Sequence, residues 1–256
     1  MRSLVVLLCG LASTSWAEAP SAFSASAGVG FLNRSFTWSG DNALTPASQP
    51  FAGAITVDTA WFPGAHVTQG PGSWFGIFGQ GDFGVGLSSR LAYSQAVFAQ
   101  TATRLRFGAV ARFPASERFA VLVHLGYARQ GFITSSNAVS GSATRPNAPD
   151  VLLEGPRGGV GARIGLGKSV QLDLLTGFQW ATGLGELGTA TWFPSSTAFG
   201  VDVGLGLSFG LVEHVRLRLS GDWQRTFFTL GGSPKWTADS AAEQYISGAV
   251  TLQWAM

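Results

Sequence analysis

The chain has 256 residues, 46% of them hydrophobic and only 12% charged, with 16 Lys and Arg against 14 Asp and Glu. That charged share is about half the roughly 25% usual for soluble domains, so a water-soluble fold would expose broad apolar surface. A net charge of +2 gives no electrostatic footprint for nucleic acid.

The N-terminus reads as a secretory leader. Met1-Arg2-Ser3 is a short positive region, Leu4–Ala12 is apolar, and Ser15-Trp16-Ala17 offers small residues at −3 and −1 of a cleavage site. The expectation is a signal peptide over 1–17 and one domain over 18–256. Cys9 does not suit a lipoprotein, because Leu8 is bulky and the leader before it would be only eight residues. Cleavage removes the only cysteine, so the exported chain forms no disulfide. Loss of Arg2 lowers the net charge from +2 to +1.

From residue 23 onward the sequence alternates apolar residues with Gly, Arg, Asp, Ser or Thr, the period of a two-faced β-strand. Strand 1 is read as Phe23–Trp38, with Ala25, Ala27, Val29 and Phe31 on one face; Phe36 and Trp38 break that parity, which suggests a bulge near Asn33. Strand 2 is Phe51–Phe62 and strand 3 is Trp74–Leu87. Strand 4, Thr101–Phe113, sets Leu105, Phe107, Ala109 and Ala111 against Arg104, Arg106 and Arg112. Strand 5 is Arg118–Phe132, strand 6 Arg157–Gly167 and strand 7 Val170–Trp180. Strand 8, Phe199–Phe209, is the clearest, with Phe, Val or Leu at every odd position and Gly, Asp or Ser at every even one. Strand 9 is Val215–Phe228 and strand 10 is Gln244–Trp254.

The links after strands 4, 6 and 8 are hairpin-length: Pro114–Glu117, Lys168-Ser169 and Gly210–His214. Pro63–Ser73, after strand 2, is longer but dense in Gly and Pro. The links after odd strands are all long: Ser39–Pro50, Ser88–Gln100, Ile133–Pro156, Ala181–Ser196 and Thr229–Glu243. Aromatics divide between the two rims. Trp61, Phe75, Phe113, Phe119, Phe209 and Trp254 fall at short-turn ends, and Trp38, Tyr127, Trp180 and Trp223 toward long-loop ends, as in two interfacial girdles. Phe62 and Phe132 are grouped with the same two sets.

The leader, Phe199–Phe209, Val215–Trp223 and the closing strand Ile246–Trp254 together resemble the small outer-membrane β-barrel proteins of Gram-negative bacteria. The resemblance covers the whole exported chain. It implies an all-β fold: a single antiparallel transmembrane barrel of about ten strands (twelve or eight as alternatives), short periplasmic turns, and long extracellular loops. That family ends on an aromatic read by the barrel-assembly machinery; here Trp254 is followed by Ala255 and Met256. The implied surroundings are outer-membrane lipid and lipopolysaccharide, with Arg129 and Arg225 near the long-loop rim suited to its phosphates. A monomer is expected.

With apolar residues outward, the lumen receives Arg34, Arg104, Arg106, Arg112, Arg157, Arg163, Arg216 and Arg218. Against these stand Asp58, Asp82, Asp173, Asp202 and Asp222, with His124, Gln80, Gln171 and Gln179 between them. Two functions follow. Ion pairs that plug a narrow lumen would make a structural or loop-displaying barrel. A surplus of three cations would instead favour a narrow, weakly anion-favouring pore. A soluble ligand-binding barrel is the architectural rival, but it needs more outer-face charge than two Lys and six Glu supply. Three scattered histidines, His66, His124 and His214, complete no dyad, and no cysteine remains after cleavage. The chain is therefore read as a non-enzyme without metal or cofactor.

Overall fold

The computed structural model describes residues 21–41, 44, 46–68, 70–90, 96–135, 148–167 and 169–256. The leader over 1–17 and Cys9 lie outside the described residues. Ten long strands form the barrel: β1 (Phe23–Ser39), β2 (Ala47–Trp61), β3 (Phe75–Val85), β4 (Val97–Ser116), β5 (Phe119–Thr134), β6 (Val151–Gly165), β7 (Val170–Ala181), β8 (Thr197–Val212), β9 (Val215–Thr229) and β10 (Ser240–Ala255). Each pairs antiparallel with its neighbours, and β1 pairs β10 over the register Ser24–Ala255 to Ser39–Ser240, which closes the ring. Closure leaves no open sheet edge among these strands, the condition for burying a sheet in hydrocarbon. Two three-residue strands, Ser88–Arg90 on β4 and Gly183–Gly185 on β6, extend the sheet at the long-loop end.

Alternation decides which residues meet which solvent. Val29, Ile55, Ile77, Phe107, Leu125, Val160, Val203, Leu205 and Leu252 are all exposed on the outer face. The inner face of the same strands buries Arg34, Arg104, Arg106, Arg157, Asp173 and Asp202. Such an inside-out distribution is stable only with hydrocarbon outside. Two outer glycines are shielded rather than bare. A Cβ on Gly248 would come within 2.8 Å of the Phe31 ring from the neighbouring strand, and one on Gly81 would meet Phe83 at 2.9 Å. The aromatic lies across the gap left by the missing side chain and keeps the paired backbone covered.

Five details depart from the sequence reading. Strand β1 is regular against β10; the irregularity lies in its pairing with β2, where Leu32 faces Ala52 but Arg34 faces Gln49. The extra residue therefore belongs to β2, around Pro50-Phe51, where a proline lacks the N–H that a ladder needs. Phe36 and Trp38 keep the inward parity, so Trp38 is not a girdle residue. Its ring packs 4.7 Å from Phe36 and 6.0 Å from Phe193, inside the barrel mouth. Phe62 and Phe132 are also buried inside. Finally, β2, β4, β6 and β10 begin earlier than read, at Ala47, Val97, Val151 and Ser240.

The remaining girdle aromatics line the rims. At the short-turn end Trp61, Phe75, Phe113, Phe119 and Trp254 are exposed, and Phe209 is half-buried. At the other end Tyr127 and Trp180 are exposed and Trp223 is half-buried, joined by the stacked set Phe178, Phe199 and Phe227. Leu205 sits at mid-height on the outer face, so Leu205→Arg should destabilise the barrel by about 2–4 kcal/mol in vesicles. Heat-modifiable gel migration across a urea titration measures it. A loss below about 0.5 kcal/mol would contradict a lipid-facing Leu205.

Candidate functional site: the charged lumen

The lumen is filled in layers whose sequence origin is traceable strand by strand. At the long-loop end the contents are apolar. Phe36, Val151, Leu153, Ala198, Phe228 and Ala241 from the strands meet Leu184, Leu187, Trp192, Phe193, Leu230 and Ala238 from the loops after β7 and β9. The loop after β7 is a folded structure, with a 3₁₀ turn over Glu186–Gly188 and Phe193 bonding back from its N–H to the Leu187 carbonyl. Trp192 and Trp236 stack at 5.5 Å and tie the two loops together.

Beneath that cap lies a buried ion pair. The Arg34 Nε donates to the Glu243 carboxylate, with both side chains under 5% exposed. The pair joins β1 to β10, the first strand to the last. Gln130 Nε2 of β5 reaches the other Glu243 oxygen at 3.4 Å, and the Arg34 guanidinium lies 4.0 Å from the Phe132 ring. The sequence pattern puts Glu243 in the loop after strand 9, whereas it belongs to β10. The signal was available: Tyr245 and Glu243 share the inward parity of β10.

The next layer crosses the whole barrel. Around the ring, β9 lies five strands from β4 in either direction. Arg104 of β4 nevertheless donates through Nη1 to Asp222 of β9, and Arg106 Nη1 bonds the same carboxylate at 3.2 Å. Arg104 also donates to Asp82 at 2.8 Å and to the Ser247 hydroxyl at 3.0 Å, while Thr56 donates to Asp82 at 2.9 Å. Arg157 closes the layer on the other side, bonding Asp202 at 2.5 Å and 3.1 Å in the bidentate form that suits a planar guanidinium. Gly177 of β7 lies between them. A Cβ there would come within 2.3 Å of Arg157 Nη2 and 2.7 Å of Asp202 Oδ2. Only a bare backbone leaves room for this pair.

Toward the short-turn end the balance of charge changes. Arg163 bonds Asp173 at 2.9 Å, Arg218 approaches the same carboxylate at 3.6 Å, and Arg216 donates to the Gln171 oxygen at 3.1 Å. Asp58 accepts from Gln80 at 3.1 Å rather than from a cation. Among the described residues Arg112 has no carboxylate partner; it donates to the carbonyls of Ser21 and Ser73 at 3.3 and 3.4 Å and lies 4.1 Å from the Phe62 ring. A cavity of about 100 Å³ lies between this region and the cross-barrel layer, lined by Asp58, Gln80, Asp82, Arg104, Asp173, Arg218 and Asp222 among others. With Glu243 counted, eight arginines face six carboxylates, so the surplus is two and not three.

The histidines stay apart. His124 of β5 sets its ring edge-on to Phe78 at 5.0 Å, and neither of its nitrogens finds a partner among the described residues. His66 accepts from Trp61 Nε1 at 3.3 Å, and His214 contacts the Ala255 carbonyl, both outside the lumen. Among the described residues no group of three or more His, Cys, Asp or Glu could hold a metal ion.

No family model matches the sequence, and no curated protein sequence matches it either. Solved structures do match. The outer-membrane protease OmpT from Escherichia coli is similar over 96% of this chain and 100% of its own, with TM-score 0.55 at 11% identity. The translocator domain of the autotransporter NalP from Neisseria meningitidis covers 100% of this chain and 94% of its own, with TM-score 0.45 at 13% identity. The fold is that of a Gram-negative outer-membrane β-barrel. Its apolar outer band sits accordingly in the outer membrane. OmpT is a protease, so this architecture accommodates an enzyme, and the expectation of a non-enzyme is corrected: scattered histidines do not exclude catalysis.

Two substitutions test the lumen. Glu243→Ala leaves Arg34 buried without its carboxylate and should cost about 3–5 kcal/mol, whereas Arg34→Met with Glu243→Leu should restore most of that loss. Urea titration of the refolded barrel reads both. Gly177→Val should displace the Arg157–Asp202 pair and lower the thermal midpoint, and Gly53→Val, on the open outer face, should leave it nearly unchanged. Equal midpoints for the two variants would contradict the assigned packing.

Proposed function

We propose that the protein is a closed-lumen outer-membrane barrel that holds a folded platform of loops at the cell surface. The short turns face the periplasm and the loops after β1, β3, β5, β7 and β9 face outward. The observation that carries this reading is the reach of Arg104 and Arg106 across the full diameter to Asp222. Guanidiniums that bond the opposite wall occupy the space a solute would use. The apolar cap around Phe36, Phe193 and Phe228 supports the same conclusion, since it stacks a second obstruction outside the first. Arg129 and Arg225 lie exposed on the outer surface toward this rim, placed to meet lipopolysaccharide phosphates. The barrel works as a monomer, inserted by the assembly machinery that reads its last strand.

A narrow anion-favouring pore is the second reading, favoured by the arginine surplus at the short-turn end. Planar-bilayer recording separates the two. The closed barrel should show no current above leak, and Arg104→Ala with Arg106→Ala should open brief steps by removing the crossing side chains. Chloride-selective steps in the unmodified protein that vanish in the double variant would reject the plug and establish the pore.

A further inference from the structure

Part of the lumen's unbalanced charge lies on the wall made by β6–β9 near the short-turn end. Two arginines there, Arg163 and Arg218, share the carboxylate of Asp173 as an ion-pair partner, with Asp58 across the lumen also acting on Arg163. Arg163 spends only its Nε on that carboxylate, and Arg218 approaches it at 3.6 Å without a hydrogen bond. Most of the N–H groups of both guanidiniums therefore have no acceptor among the described residues. Both remain partly open to solvent, at 29% and 19% exposure, whereas the arginines of the cross-barrel layer are at or below 7%.

The residues flanking Arg218 make the shortage sharper. In the strand register Arg218 of β9 stands directly between Ser208 of β8 and Thr251 of β10. Both side chains face inward and are buried, at 0% and 3% exposure, and neither hydroxyl has a hydrogen-bond partner among the described residues. A buried hydroxyl without a partner is costly. Each hydroxyl can donate one hydrogen bond and accept others, so the two leave unused bonding capacity beside an under-bonded guanidinium.

We propose that this wall is a binding site for a small oxyanion of the phosphate class, entering from the periplasmic side and seated against Arg163 and Arg218 next to Asp173. A tetrahedral oxyanion supplies several acceptor oxygens at once, and each guanidinium can meet it through a two-pronged contact. Asp173 holds the two arginines in place in its absence and competes with it when it arrives. The source is a free solute and not a lipid headgroup, because the site faces the lumen and the sheet separates it from lipid. The site holds whether or not the lumen conducts, because it lies below the cross-barrel layer.

Calorimetric titration of the full folded barrel in non-ionic detergent tests this, with inorganic phosphate as the probe and chloride at matched ionic strength as the blank. The expected result is a saturable heat at one phosphate per barrel. Arg163→Gln with Arg218→Gln should weaken it at least tenfold, and Asp173→Asn should tighten it severalfold by removing the competing carboxylate. If the double glutamine variant fails to refold, Arg218→Lys keeps the charge and loses the fork, and should still weaken binding severalfold. No saturable heat with the unmodified barrel, or unchanged binding in the arginine variants, overturns the proposal. So does displacement of phosphate by anionic phospholipid, which would make a headgroup the occupant.

Discussion

Arg104 and Arg106 stand on one wall of a ten-strand ring and bond a carboxylate on the opposite wall. That contact is possible only because the ring is narrow, and the ring is narrow because ten strands close it. A guanidinium withdrawn from water needs a carboxylate and good geometry to offset its desolvation. Here Asp222 answers two arginines, Asp202 serves Arg157 and faces Arg106, and Asp82 answers Arg104 from the adjacent strand. The walls thus constrain one another through the lumen, in addition to the hydrogen bonds that run around it.

This cross-bracing explains features that would otherwise look unrelated. Interior glycines are not spare volume; Gly177 exists so that Arg157 can pass over β7 to Asp202. The seam between β1 and β10, where first strand meets last, carries its own buried pair, Arg34 with Glu243. A neutral amide, Gln130, reaches Glu243 from five strands away and gives the seam a second anchor. On the outside, where lipid replaces water, shape matters and charge does not, and rings such as Phe31 and Phe83 cover the glycine gaps.

How far the sequence discloses all this depends on what sets each residue's direction. Period-two alternation is local, so Val201, Val203 and Leu205 could be assigned outward and Asp202 inward from the chain alone. The same parity points all eight arginines inward. It misled where a second rule took over: near the long-loop end the lumen is walled by folded loops, so Phe36, Trp38 and Phe132 turn inward although the girdle aromatics turn to lipid. Val151, Leu153 and Glu243 were lost in the same way, because strands that run on past the membrane band were read as loop. Pairings such as Arg104 with Asp222 were not legible at all. They join positions 118 residues apart, and strand pattern says nothing about what meets across a diameter.

Charge along the barrel axis shows what the bracing requires and what it leaves over. In the cross-barrel layer three arginines, Arg104, Arg106 and Arg157, meet three aspartates, and the balance is complete. Burial forces that balance, since an unmatched cation there would have no water to turn to. At the short-turn end Arg163 and Arg218 are more exposed, and there the constraint relaxes with hydration; Arg112, buried at 3% exposure, is held instead by two carbonyls and a phenyl ring. The surplus is therefore not spread through the lumen but displaced to the end where water can offset it, which is also the end where a soluble anion can reach it.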